Sequence, residues 1–202
     1  MARTARLLLK NVYFHVMSRG HHGQKIFFND ADYHRYLYLI KKYKIKFQIN
    51  LFGFCLMPNH THLIVRPKEA ASLSLFMKGL NQSYAQYFNF KYGKKGYLWQ
   101  ARFKSMVITE ENYLVRCIEY VEFNPIRAKL TILPKEYPWC SYKQRLSGQF
   151  DDFLNPIMPL GDVPFSQRSG PRQHKGDRSK LVKRYVPRMK GPNRYLTKTR
   201  NR

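Results

Sequence analysis

The sequence has few acidic residues. Its 202 residues include 12 Asp and Glu against 37 Lys and Arg, which gives a formal net charge of +25. Such an excess of cations favours a polyanionic partner, because neutralising phosphates releases their condensed counterions. Membrane is the competing polyanion, but the sequence has no apolar run near bilayer length and no signal peptide. Nucleic acid is therefore the expected partner, and the expected location is the cytoplasm, in association with the nucleoid.

Cysteine is also scarce. Cys55, Cys117 and Cys140 are an odd number, show no C-x-x-C spacing and have apolar or aromatic neighbours. This pattern predicts free thiols in a reducing cytoplasm. Cys55 and Cys117 as zinc ligands are a less favoured alternative.

Hydrophobic periodicity predicts a regular succession of elements. Strands are expected over residues 11–18, 48–55, 60–67 and 103–108, with helices from about 29 to 44, from 72 to 92 and from 109 to 125. The order strand, helix, strand, strand, helix, strand is the split βαβ arrangement. It predicts an α+β, ferredoxin-like fold, an antiparallel sheet with helices packed on one face. This domain is expected to occupy residues 1–150.

The C-terminal extension, residues 151–202, has a different composition. Proline and glycine interrupt it repeatedly, and residues 163–202 hold 13 Lys and Arg and one acid, Asp177, a net charge of +12. A disordered, solvated tail is one interpretation. A basic arm on DNA is favoured because the sign of its charge matches the expected partner.

Two histidines begin the third predicted strand. His60 and His62 share one strand face, about 7 Å apart along the chain, while Thr61 points to the other face. One metal ion can bridge two imidazoles at that spacing. The alternative is a pair of ordinary polar residues at the edge of a strand.

Basic residues alternate with aromatics and glycines over residues 91–104. This composition suits stacking on unpaired bases while the cations follow the backbone. The alternative is a turn in which Trp99 and Phe103 fill core. In a second basic loop, Arg19 either contacts phosphate or lies in a solvated turn. The residues expected to contact DNA are Arg19, Lys94, Lys95, Trp99, Arg102, Lys104 and Arg127.

The last predicted helix carries a tyrosine and an asparagine one turn apart, Tyr120 and Asn124. Beside the two histidines, Asn124 could supply a third metal ligand and Tyr120 could present its oxygen to a phosphate. Tyr113 is the rival tyrosine. Asn124 precedes Pro125, so its backbone is expected to be shifted from helical geometry.

Four segments follow one another along the chain: LMPNHTH at 56–62, GYLWQARFKS at 96–105, YVEFNPIRA at 120–128 and YPWCSY at 137–142. Together they closely resemble the REP-associated tyrosine transposases, a branch of the single-tyrosine HUH transposases, over about residues 10–145. Thr61 departs from the bulky hydrophobic residue of the family pattern, although its β-branched side chain should preserve the strand.

The resemblance implies a ferredoxin-like nuclease domain that acts on single-stranded DNA bearing hairpins, such as REP-like repeats. By the same resemblance, His60, His62 and Asn124 are expected to be ligands of Mg²⁺ or Mn²⁺. Tyr120 is expected to be the nucleophile that forms a 5′-phosphotyrosine. Two other functions stay open. One is a catalytically silent nucleic-acid-binding regulator on the same fold, and the other is a zinc hydrolase, which is disfavoured because no Glu or Asp is placed as general base.

Overall fold

The computed structural model describes residues 9–108, 111–148 and 153–157. Its strands form one antiparallel sheet in the order β2-β3-β1-β4. This is the predicted ferredoxin-like order, so the α+β fold class is confirmed. The strands are β1 (Tyr13–Arg19), β2 (Ile49–Met57), β3 (His60–Pro67) and β4 (Lys104–Ile108); the helices are α1 (Asp30–Lys46), α2 (Ser72–Tyr92), α3 (Glu111–Glu122), α4 (Asn124–Arg127) and α5 (Tyr142–Ser147).

Helices α1 and α2 pack together on one face of the sheet. Helical spacing predicts an apolar stripe on each helix, with Leu37 in the stripe of α1. The stripe of α2 is fully in the core, whereas on α1 Leu39 is buried and Leu37 is only half-buried. The two helices approach closely at Gly79, where an added Cβ would lie 2.7 Å from the Tyr43 ring. The buried stripe of α2 consists of Leu73, Phe76, Leu80, Tyr84 and Phe88.

Helix α3 packs on the opposite face of the sheet. Its apolar stripe, Leu114, Ile118 and Val121, is buried in a second apolar cluster that includes Cys55 and Ile64. The prediction of helices on one face is therefore wrong. Consecutive strand residues point to opposite faces, and β2 and β3 are buried on both, so their second face also needed a cover. No described helix is both long and apolar enough to cross a membrane.

The segment 137–142 packs back on the domain. The backbone of β2 bonds to it on both sides of Cys55: Leu56 N–H donates to the Trp139 carbonyl at 2.8 Å, and Ser141 N–H donates to the Phe54 carbonyl at 3.0 Å. Trp139 also stacks on Tyr33, with ring centres 4.4 Å apart. These bonds cover the free edge of β2, which would otherwise offer unpaired backbone groups.

Residues 153–157, which fall in the predicted extension, also pack on the domain. Leu154 is fully buried. The Asn155 side chain accepts a hydrogen bond from Leu51 N–H at 2.9 Å, and the Lys44 ammonium donates to the Phe153 carbonyl at 2.7 Å. The boundary at residue 150 stays a prediction, and the basic segment 163–202 lies outside the described residues.

Candidate active site

His60 and His62 begin β3 and lie on the sheet face that α3 covers. They sit opposite Arg19 and Met17 of β1 respectively, and paired residues of antiparallel strands share a face. Their ring centres are 4.8 Å apart. His62 is buried and His60 is half-buried. Thr61 points into the other face and is buried near the Tyr36 hydroxyl, so the strand keeps its geometry despite this residue.

Asn59 fixes the proton of His60. The Nδ1 atom of His60 lies 2.6 Å from Asn59 Oδ1, while Asn59 Nδ2 donates to the Gly23 carbonyl at 3.3 Å. The amide is therefore oriented with its oxygen toward the ring. Since an amide oxygen only accepts, His60 must carry its proton on Nδ1. Its Nε2 lone pair is then free for a metal.

A third histidine, which sequence reasoning did not single out, completes the cluster. His15 of β1 is buried, stacks on His62 with ring centres 5.1 Å apart and places its Nε2 2.8 Å from His62 Nδ1. The strand alternation already put His15 on the face opposite Phe14 and Val16. Knowing that this face meets His62 required the pairing of β1 with β3, which the pattern of one strand does not give.

Burial keeps all three imidazoles neutral. It lowers the pKa of His15 to about 4. Burial, helped by the positive charge of Arg19, also lowers the pKa of His60 to about 4. Burial lowers the pKa of His62 well below its ordinary value, and the neighbouring His15, His60 and Arg127 add to that shift. Neutral imidazole is the form that binds metal ions.

Tyr120 lies on α3 beside this cluster. Its half-buried ring meets His15 edge to face, with ring centres 6.3 Å apart. The Arg127 guanidinium lies 3.8 Å from the centre of the same ring and donates a hydrogen bond to the Tyr120 carbonyl. The rival, Tyr113, lies two turns earlier on α3 beside Cys117, and its ring is 38% exposed. The structure thus brings Tyr120 to the histidines.

Helix α3 ends earlier than predicted. It stops at Glu122, Phe123 leaves helical geometry with φ −90° and ψ 3°, and Asn124 begins the separate short helix α4. The prediction that Tyr120 and Asn124 share one continuous helix is therefore wrong. Pro125 does not only stop α3, because it also occupies the first turn of α4, where proline is favoured.

The end of α3 also sets the direction of the Asn124 amide. Pro125 has no N–H, so it leaves the Val121 carbonyl without its helical donor. Asn124 Nδ2 supplies that donor at 3.2 Å. The Asn124 oxygen accepts a hydrogen bond from Arg127 Nη2 at 2.9 Å. Arg127 donates hydrogen bonds to the Tyr120 carbonyl and to the Asn124 amide oxygen. Its predicted contact with DNA stays a prediction.

A divalent metal fits this donor set. His60 offers a bare Nε2, the Nδ1 atom of His62 is hydrogen-bonded to His15 Nε2, and Asn124 offers an amide oxygen that also accepts from Arg127. Borderline cations accept such mixed nitrogen and oxygen ligands. Among the described residues, no group of three or more His, Cys, Asp and Glu could hold a metal. This includes the buried, unpaired Cys55 and Cys117.

Two of the cations predicted to contact DNA lie on the histidine face. Arg19 pairs with His60, and its Nε is buried without a hydrogen-bond partner among the described residues. Lys104 of β4 is exposed and pairs with Met17, which in turn pairs with His62. Both side chains therefore project on the side of the sheet that carries His60 and His62 and that α3 covers.

The loop before β4 reaches the same end of the sheet. Gln100 N–H donates to the Arg19 carbonyl at 2.9 Å. The Trp99 indole donates to the Asn81 carbonyl at 2.8 Å and packs near Tyr84, so part of its surface belongs to the core. Lys94 lies over the Phe28 ring at 5.3 Å, and Lys95 and Arg102 are exposed. Contact of these four residues with DNA stays a prediction.

A buried ion pair that the sequence did not reveal holds the end of α3. Glu122, two residues after Tyr120, accepts hydrogen bonds from Ser141 Oγ at 2.5 Å and from Arg145 Nε at 3.0 Å. Arg145 also donates to the Phe52 carbonyl in β2. Breaking a buried pair leaves an uncompensated charge, which is strongly destabilising. This network therefore fixes the position of the tyrosine helix on the sheet.

Comparison with known proteins identifies relatives of this arrangement. The model of a family described as "Transposase IS200 like" matches residues 8–124, more than half of the chain. No curated protein matches. A solved REP-associated tyrosine transposase bound to a REP hairpin is 15% identical with a TM-score of 0.59, covering 81% of this chain and 97% of that one. A candidate transposase from Deinococcus radiodurans is 13% identical with a TM-score of 0.42, covering 60% of this chain and 96% of that one. At these identities the likeness shows the fold alone.

Proposed function

The chain belongs to the IS200-like transposase family, and from that premise we propose that it cleaves and rejoins single-stranded DNA with Tyr120 as the nucleophile. The observation that carries the proposal is the position of Tyr120 between two residue pairs. On one side its ring meets His15, which bonds to His62. On the other side Arg127 covers the ring and bonds to Asn124.

The chemistry is an exchange of one phosphodiester for another. The Tyr120 oxygen attacks the scissile phosphorus, the new bond is a 5′-phosphotyrosine, and the bond to the 3′ oxygen breaks. The proton that leaves the phenol is balanced by the proton that the released 3′ oxygen takes up. Because one ester replaces another, the step is nearly neutral in energy and reversible without ATP. It therefore suits strand transfer as well as cleavage.

Arg127 has two tasks in this proposal. A cation in contact with the ring face favours negative charge on the phenol oxygen as that oxygen becomes the nucleophile. Its bonds to the Tyr120 carbonyl and the Asn124 amide also hold α3 and α4 in fixed relation. A planar guanidinium can make all these contacts at once, whereas an ammonium cannot.

His60, His62 and Asn124 are the residues proposed to hold the metal, with Mg²⁺ or Mn²⁺ favoured by the family resemblance. Bound there, a divalent ion would act as a Lewis acid on the scissile phosphate and spread its negative charge. The protein prepares the site with two neutral imidazoles on a rigid strand. Asn124 Oδ1 must be shared between Arg127 and the metal.

The proposed substrate is single-stranded DNA that carries a hairpin, as in REP-like repeats. Three observations support it: the net charge of +25, the cations Arg19 and Lys104 on the histidine face, and the similarity in fold to a transposase that was solved with a REP hairpin. Phosphate neutralisation by these cations would supply affinity without sequence preference. The choice of cleavage position would need base contacts.

The direct test is covalent capture. The full-length protein is incubated with end-labelled single-stranded hairpin DNA and Mn²⁺, and the mixture is resolved under denaturing conditions. The proposal predicts a labelled protein–DNA adduct that withstands denaturant and that requires Tyr120. Binding without any adduct or cleavage would instead support the alternative, a catalytically silent regulator on the same fold.

A further inference from the structure

His15 touches His62 but takes no part in the chemistry proposed above. We propose that His15 is a positioning residue that keeps the proton of His62 on Nδ1 and so leaves the Nε2 lone pair of His62 for a divalent metal. The inference rests on the proposed function for the identity of that ligand. The proton arrangement itself is a property of the two side chains.

The His15–His62 pair has two possible proton arrangements, which differ in the histidine that donates the hydrogen bond. A hydrogen bond between two neutral imidazoles needs one N–H and one lone pair, and here it joins His15 Nε2 to His62 Nδ1 at 2.8 Å. If His15 donates, the single proton of His62 must sit on its Nε2, which then has no lone pair. If His62 donates, its Nε2 is bare. Only the second arrangement allows His62 to bind a metal through Nε2.

His60 shows the same arrangement with a different partner. Asn59 Oδ1, an obligatory acceptor, lies 2.6 Å from His60 Nδ1. Both histidines of the strand are therefore bonded to the protein through Nδ1, and in both cases the proposed ligand atom is Nε2. A hydrogen bond on the far nitrogen is how proteins commonly set the tautomer and ring orientation of metal-binding histidines.

Burial in the sheet holds the His15 ring in a fixed position, as a hydrogen-bond acceptor for His62 requires. The residue lies in the middle of β1, between β3 and β4, and only 4% of its surface is exposed. Its other nitrogen, Nδ1, is buried without a hydrogen-bond partner among the described residues. In the arrangement that we propose this nitrogen carries the proton of His15, and in the alternative it carries the lone pair; it lacks a partner in both.

Two substitutions at position 15 test whether His15 acts as a hydrogen-bond acceptor or only fills space in the core. His15→Leu removes the imidazole and every acceptor, whereas His15→Gln removes the imidazole but retains an oxygen that can accept from His62 Nδ1. Asn59→Ala is the matched variant for His60. Each full-length protein is examined by two measurements: long-range ¹H–¹⁵N NMR of the histidine rings without metal, which reports the tautomer, and calorimetric titration with Mn²⁺.

We expect His62 to carry its proton on Nδ1 in the wild type and in His15→Gln, and to shift it toward Nε2 in His15→Leu. Mn²⁺ binding should weaken by about 10- to 100-fold in His15→Leu, the usual effect of losing such a partner. His15→Gln should retain most of the affinity. Asn59→Ala should shift the His60 proton in the same way and leave that of His62 unchanged.

Three results would overturn the inference: a wild-type His62 protonated on Nε2, an unchanged tautomer in His15→Leu, or equal losses of Mn²⁺ affinity in His15→Leu and His15→Gln. Failure of the proposed function looks different. In that case the wild type would not bind Mn²⁺ at all, while the NMR measurement would still decide whether His15 sets the tautomer of His62.

Discussion

The Arg127 guanidinium lies 3.8 Å from the centre of the Tyr120 ring and also donates to the Tyr120 carbonyl. The pair joins the short helix α4 to α3 at the residue that we propose as nucleophile. Arg127 is itself half-buried, and burial lowers its pKa, although it stays a cation. A desolvated cation on a ring face is worth more than an exposed one.

Arg127→Gln should slow cleavage by about 100-fold, the scale for removing one preorganised electrostatic group from an active site. The physical reason is that negative charge developing on the phenol oxygen loses the cation that lies over its ring. Single-turnover cleavage of labelled hairpin DNA measures this loss of rate. Arg116→Gln, which removes an exposed arginine of α3, should stay close to wild type; equal losses in both variants would exclude a specific role for Arg127.

His60→Ala and His62→Ala should each abolish metal-dependent cleavage, because either change leaves a single imidazole on the strand. The fold should survive, since the core is formed by other residues, and circular dichroism checks this. His34→Ala, which removes an exposed histidine of α1, serves as the control. Full activity of both strand variants in the presence of chelator would contradict a metal site at these histidines.

Stability should fall as the pH drops from about 6.5 to 4. The pKa of His15 is about 4 in the folded protein and about 6.5 when unfolded. Between these values the unfolded chain binds a proton that the folded one does not, so acid favours unfolding. His15 alone would contribute about 3 kcal/mol, and the lowered pKa of His60 acts in the same direction.

Urea unfolding in the presence of chelator at several pH values measures this dependence. Burial raises the pKa of Glu122 and so opposes the trend at low pH, but Glu122 is common to wild type and variant. His15→Leu should therefore have a visibly shallower dependence than wild type between pH 6.5 and 4. Parallel curves for the two proteins would show that His15 is not buried in the neutral form.

Deleting residues 163–202 should weaken DNA binding and leave the chemistry intact, because all the proposed active-site residues, Arg127 included, precede position 128. Each phosphate that the tail neutralises contributes about −0.7 to the slope of log affinity against log salt for single strands. Filter binding at several salt concentrations should show a flatter slope for the truncated protein. An identical slope would place the tail away from DNA.

A longer deletion, of residues 149–202, provides the contrast. It removes the buried Leu154 and the Asn155 bond to Leu51. This variant should unfold at a lower temperature than the protein that lacks only 163–202. Equal melting temperatures would show that residues 153–157 add nothing to the domain.

Local patterns in the sequence predicted the elements well. The bounds of β3 and α2 agree with the structure, because alternation and helical spacing are properties of a single segment. The strand order also followed from the order of elements. The sequence did not tell which helix packs on which face of the sheet. A strand that is buried on both faces, such as β2, has a continuously apolar sequence whichever helix covers it.

The site was harder to predict, since its contacts join different segments. His15 was missed because its role depends on the pairing of β1 with β3. The direction of the Asn124 amide was not predicted, because it depends on the carbonyl that Pro125 leaves unbonded at Val121. The contact of Arg127 with the Tyr120 ring was missed because a cation after a helix gives no sign in the sequence of the ring that it will cover, and its contact with DNA stays a prediction.

The covalent adduct itself is the most direct test that Tyr120 is the nucleophile. Wild type, Tyr120→Phe and Tyr113→Phe are each incubated with 5′- and 3′-labelled hairpin DNA and Mn²⁺, and the products are resolved under denaturing conditions. Wild type and Tyr113→Phe should retain the strand that lies 3′ of the break and release the other with a free 3′-OH, while Tyr120→Phe should bind DNA with nearly unchanged affinity and form no adduct. An adduct formed by Tyr120→Phe and lost in Tyr113→Phe would contradict the account.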